Sequence, residues 1–199
     1  HQLMVCARLG IFSRLFGFNE KLTRQLLDAG ILHDHLKAIE KQIVGENGGW
    51  DLFDIACKQS EQAMRDAGYD DMTCWLAGGN GHSSLIKTRE LLQKETLEDY
   101  ELAFLIFHLV DDYTIGNKPV TPAGDDGNDL TRRMKKNREF SRYGKLNEDG
   151  REKFDGITTF ERQETDGIDV QARIAQLLSG KLSLNIEPMH LPEFIEERL

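Results

Sequence analysis

Cysteine is scarce in this chain: Cys6, Cys57 and Cys74 are its only three in 199 residues. Three widely spaced cysteines cannot build a disulfide framework, and none has the paired spacing of a zinc knuckle. The chain therefore reads as one for a reducing, cytoplasmic compartment. Long apolar runs are also lacking. None approaches the roughly 20 residues that cross a bilayer, so no membrane is expected as a partner. The opening residues, with Arg8 and Arg14, lack the cleavage site of a secretory leader. Basic excess is absent as well. The formal charge of −9 repels polyanions and argues against nucleic acid as a ligand. Strict apolar–polar alternation is rare, which argues against a sheet. Neither a Walker A loop nor a GxSxG elbow occurs, which removes P-loop ATPases and serine hydrolases.

What is present has helical spacing. In HQLMVCARLGIFSRLFG, His1, Val5, Leu9, Phe12 and Phe16 fall on one side, and Gly17 sits where a C-terminal cap belongs. Asn19 is an N-cap for the next segment, which runs on to about Ile43 as one helix with Leu22, Leu26, Ala29 and His33 on one stripe. A helix over 51–67 ends at Gly68. The glycine-rich CWLAGGNGHSS is a turn leading into a helix near Ser83. Thr96 and Asp99 form a capping-box pattern opening the apolar helix LEDYELAFLIFHLVDDYTI. These features predict an all-α bundle over residues 1–116.

From Gly116 the character changes. A loop rich in glycine and proline (116–129) precedes the basic run RRMKKNREFSR, a weakly patterned stretch to Gly167, the short helix VQARIAQLLSG and a terminal LPEFIEERL helix. The expectation is a loop-rich helical extension over 117–199. The basic run reads as a solvated helix face or as a phosphate-binding patch, in which Arg132 and Arg133 are the candidate contacts.

Ionisable groups recur on the inward faces. His1, the pair His33–Asp34, and Asp111 or Asp112 lie on three separate helices, each costly to bury without a partner. Imidazole and carboxylate together suit Mn, Fe, Co, Ni or Zn, and bundle cores are a common place for such ions. Spacing leaves open which aspartate is inward: Phe104, Phe107 and Ile115 share a face with Asp111, whereas Leu105 and Leu109 share one with Asp112.

The ordered set H…HD…D, with the AGILHD context and the GFNEKL turn after the first helix, resembles the HD superfamily of metal-dependent phosphohydrolases. The resemblance covers about residues 1–116 and implies an HD-domain-like helical bundle. It implies a divalent ion (Mn, Fe, Co, Ni, Mg or Zn) held by His1, His33, Asp34 and Asp111. Asp34 and Lys37 would be the catalytic pair, Asp34 orienting the water and Lys37, the last residue of an HDxxK pattern, meeting a substrate phosphate. His35 and Leu36 depart from the family's apolar-Gly pair. His35 reads as a residue orienting a ligand or facing solvent. His82, His108 and Asp112 are candidates for a second metal or for substrate contact.

The function so implied is phosphohydrolysis of a small phosphorylated substrate, foremost a nucleotide, by metal-activated water. The alternatives are a non-catalytic HD-type regulatory module signalling through the extension, and a di-iron HD-type oxidase. A homo-oligomer is compatible with either.

Overall fold

The computed structural model describes residues 1–34, 37–78, 81–82 and 84–199; the reading of His35 falls outside them. The described residues form an all-helical chain of eleven α-helices, with no strand and only an isolated bridge, Gly124 to Gly127, in the long loop. The first half contains α1 (Gln2–Phe16), α2 (Glu20–Leu32), α3 (Lys37–Val44), α4 (Trp50–Asp66), α5 (Asp71–Gly78), α6 (Ser84–Leu92) and α7 (Asp99–Tyr113). The second contains α8 (Asp129–Glu139), α9 (Gly144–Lys153), α10 (Thr159–Leu182) and α11 (Leu191–Glu196). Among the described residues no helix is long and apolar enough to cross a membrane.

Local chemistry explains most boundaries. Gly17 ends α1 in the left-handed region at φ 67°, and its N–H and that of Phe18 close the cap on Arg14 and Ser13. The Asn19 side chain accepts from Leu22 N at 2.9 Å and opens α2. The capping box of α7 sits two residues later than the spacing predicts: Glu98 and Glu101 form it, not Thr96 and Asp99. The helix α10 is far longer than the expected VQARIAQLLSG. It starts at a Thr158–Glu161 capping box, and its polar first half packs against α8 and α9.

One expected helix is two. The segment predicted to run from Asn19 to Ile43 breaks after Leu32, with no glycine or proline at the break. His33 N still bonds to Ala29 O at 3.0 Å, but the His33 ring Nδ1 takes the Gly30 carbonyl at 2.8 Å. That carbonyl is the one the next turn of α2 would use, so the ring ends the helix. The chain then turns, and Lys37 N bonds to Asp34 O at 3.2 Å as α3 begins.

The centre of the fold is α7, buried on every side from Glu101 to Tyr113. It packs against α1, α2, α6, α8 and α10. Leu9, Phe12, Leu26, Leu105, Phe107 and Ile174 are fully or almost fully enclosed, and each such side chain contributes about 1.5–3 kcal/mol through burial. Arg8 is equally enclosed. It donates to Glu196 from Nε (3.0 Å) and Nη2 (2.8 Å), to Thr114 Oγ1 at 2.9 Å and to the Lys118 carbonyl at 3.2 Å. A buried guanidinium needs this full set of acceptors, and it ties α1 and α11 to the C-terminal end of α7.

Candidate metal centre

The break after α2 builds the centre. Adjacent residues within a helix point about 100° apart, but His33 and Asp34 lie in a turn and both reach one point. His33 Nε2 is 3.6 Å from Asp34 Oδ1 and 3.4 Å from Asp111 Oδ1. His1, at the start of α1, places Nε2 2.7 Å from Asp111 Oδ1 and 3.9 Å from Asp34 Oδ2. Among the described residues, His1, His33 and Asp111 are the group whose donor atoms converge within 4.8 Å. Asp34 stands at its edge, and Lys37 pairs with the Asp34 carboxylate.

The chemistry of the donors fits a divalent ion. A carbonyl can only accept, so Nδ1 of His33 carries the proton and Nε2 offers its lone pair to the cluster. Nε2 is buried and has no hydrogen bond of good geometry. A ring held this way by a backbone carbonyl is the usual support of a metal-binding histidine. Ligand atoms about 2.1 Å from a tetrahedral ion lie roughly 3.4 Å apart, close to the His33 distances.

Charge is balanced from the other side by Arg133 of α8. Its Nη1 donates to the Asp111 carbonyl and, at 3.2 Å, to the Thr114 carbonyl, and it lies 3.9 Å from Asp111 Oδ1. Burial alone would raise the Asp111 carboxyl, but Arg133 and His33 together hold it well below the usual carboxylate range. Burial would lower the His33 imidazole; the Asp111 and Asp34 carboxylates and the Gly30 carbonyl outweigh it and raise it.

The two adjacent aspartates diverge. Asp111 faces His1 and His33, whereas Asp112 accepts from Gln163 Nε2 at 2.8 Å and lies 3.5 Å from His108 Nε2. Burial pushes the Asp112 carboxyl upward. His82 is enclosed by Phe53, Tyr143 and Phe160, with ring centroids at 5.0, 5.9 and 5.2 Å. Burial pushes its imidazole down to about 4. His82, His108 and Asp112 are therefore neighbours of the cluster, and their donor atoms do not converge as those of His1, His33 and Asp111 do.

No family model, curated protein or solved structure matches the chain significantly. The centre is therefore read from its own geometry.

Beyond a small cavity among His33, Lys37, Ser60 and Asp111, two larger ones flank it. One, of about 450 Å³, lies among His1, Asp34, Lys37, Arg133 and Lys136. The other, of about 310 Å³, lies among Asp111, Lys37, Glu40, Arg133, Arg142 and Gln163. Arg132 borders the first cavity, but its guanidinium is bonded to Asp126, Asp129 and the Pro122 carbonyl and braces the loop before α8. Glu40, Arg142 and Gln163 were not singled out by the sequence reading. Arg142 belongs to the basic run, and the HDxxK helix continues to Glu40, but nothing in the sequence marks Gln163.

Proposed function

We propose that this protein is a metal-dependent phosphohydrolase acting on a nucleotide or another small phosphoester. The observation that carries the reading is the buried, unpartnered His33 Nε2, aimed with His1 at two carboxylates and bordered by Lys37 and Arg133. His1, His33, Asp34 and Asp111 would hold the divalent ion. Such an ion lowers the pKa of a bound water and polarises a phosphoryl oxygen.

The chain's own residues supply the rest. Asp34 lies between His1 and His33 on one side and Lys37 on the other, and would orient a water for in-line attack. Lys37 and Arg133 face the cavities from opposite helices and offset the negative charge of a phosphoryl group as it transfers. Arg133 is the better phosphate partner of the two basic-run candidates, since Arg132 is engaged with the loop. The His33 ring, edge-on to Phe107 at 5.5 Å, is fixed against the core and needs no rearrangement to act.

Metal analysis together with a release assay tests this. Purified protein should carry or take up one or more divalent ions and free phosphate from some members of a panel of nucleotides and generic phosphoesters. Asp34→Ala should remove activity while helicity by circular dichroism stays near wild type. Loaded protein that frees no phosphate from the whole panel would end the hydrolase reading, and stoichiometric iron with oxygen uptake would replace it with an oxidase.

A further inference from the structure

The cavity beside Asp111 continues outward. Lys37 and Arg133 line its inner end, and Lys41 and Arg142 line both this cavity and the open cleft of about 740 Å³ that follows. The path from the candidate centre to the surface thus crosses a threshold made of two cations. In a chain with a formal charge of −9, this concentration runs against the global balance.

The threshold cations are held differently. The Arg142 guanidinium lies 3.4 Å from Glu40 Oε1 and 4.8 Å above the Tyr143 ring. A carboxylate on one side and a ring below fix its fork in place. The Lys41 ammonium carries no ion pair with any described residue, and Glu40 beside it is shared with Arg142. Glu46 belongs to the outer cleft alone, and Asp112 lies deeper, bonded to Gln163.

A formal count divides the cavity. At the inner end, Asp34, Asp111 and Asp112 are set against a divalent ion, Lys37 and Arg133, which leaves one positive charge in excess toward a single phosphate. Lys41 and Arg142 are set against Glu40 and remain in excess. Lys41 is one helical turn beyond Lys37 on α3, about 6 Å along the axis. We infer that the ligand carries a second phosphate, bound by Lys41 and Arg142 while the reacting phosphoryl group lies against Lys37 and Arg133. This rests on the phosphoester reading of the centre and narrows it to bisphosphorylated or polyphosphorylated compounds.

Titration calorimetry of the intact, metal-loaded protein tests it with propane-1,3-diyl bisphosphate and monopropyl phosphate as probes. Wild type should bind the bisphosphate about tenfold or more tighter, the effect expected of an added charge-assisted contact. The double variant Lys41→Ala/Arg142→Ala should lose that preference while its affinity for monopropyl phosphate changes less than about twofold. Lys41→Gln alone, at an exposed position, should lose part of it. Lys135→Ala, which removes a charge from α8 outside the cavity, should keep all of it. Equal affinities in wild type, a preference that survives in the double variant, or binding of neither probe would overturn the inference. If the preference appears but neither probe nor any panel compound is hydrolysed, the second anion site stands and the hydrolase reading falls.

Discussion

His33 donates its Nδ1–H to the Gly30 carbonyl at 2.8 Å, and that one bond both stops α2 and points Nε2 at Asp111. The residue that ends the helix is also the one whose free nitrogen faces the cluster. Structural and chemical roles are therefore inseparable at this position, and the first prediction follows from it.

Addition of Mn²⁺ or Zn²⁺ at about one hundred times Kd should stabilise the wild-type protein by about 2.7 kcal/mol. For a chain of this size that is a rise in Tm of roughly 5–10 °C. Asp111→Asn and His33→Ala should each abolish most of the rise. A full rise in Asp111→Asn would remove that carboxylate from the centre.

Ion affinity should depend on pH. The neighbouring carboxylates raise the His33 imidazole above its ordinary 6.5, so a proton competes with the ion for Nε2 around neutrality. The apparent Kd should fall as pH rises through that range and then level off. Calorimetry in two buffers of different ionisation enthalpy should show protons released on binding near pH 7. An ion affinity flat across this range would contradict the assignment of Nε2 as a ligand.

Arg133→Ala should destabilise the ion-free protein by about 3 kcal/mol, the scale for leaving a buried carboxylate without its partner. A divalent ion compensates the same Asp111 charge, so adding one should recover much of the loss. Thermal melts with and without ion separate this electrostatic role from simple packing. Packing loss would persist in both conditions.

His82 gives a second pH prediction, from a shift in the opposite direction. Burial lowers its imidazole from 6.5 to about 4, so the unfolded chain binds its proton more readily than the native one. Stability from this group is complete above pH 6.5 and is lost as pH falls from 6.5 toward 4. His82→Asn should have a flatter Tm profile across that window than wild type, whatever its Tm at pH 8. Parallel profiles would exclude His82 as the titrating group.

The caps around α1 and α2 were legible because they depend on residues within one turn, as Gly17 and Asn19 show. The all-helical class was legible for a similar reason, since apolar spacing is local information. The break at His33 was not. No breaker residue stands there, and the cause is a side chain competing for a carbonyl of its own helix. Asp111 and Asp112 were indistinguishable by spacing because α7 is enclosed on all sides. Only the arrival of His1 and His33 on one side and Gln163 on the other separates them. Arg133 was visible merely as one charge in a basic run, because its contact with Asp111 comes from the packing of α8 on α7. Long-range packing decides what short-range pattern cannot.

Arg8 and Glu196 are 188 positions apart and meet in the interior beside Thr114, whose carbonyl also receives Arg133. During synthesis, α1 and α7 leave the ribosome long before α11 does. Until α11 arrives, a guanidinium in the nascent core lacks its carboxylate, and the segment that anchors Arg133 is secured on one side only. The consequence is a late folding step of high contact order: the cluster of His1, His33 and Asp111 reaches its final arrangement only after a helix that contributes no side chain to it has docked.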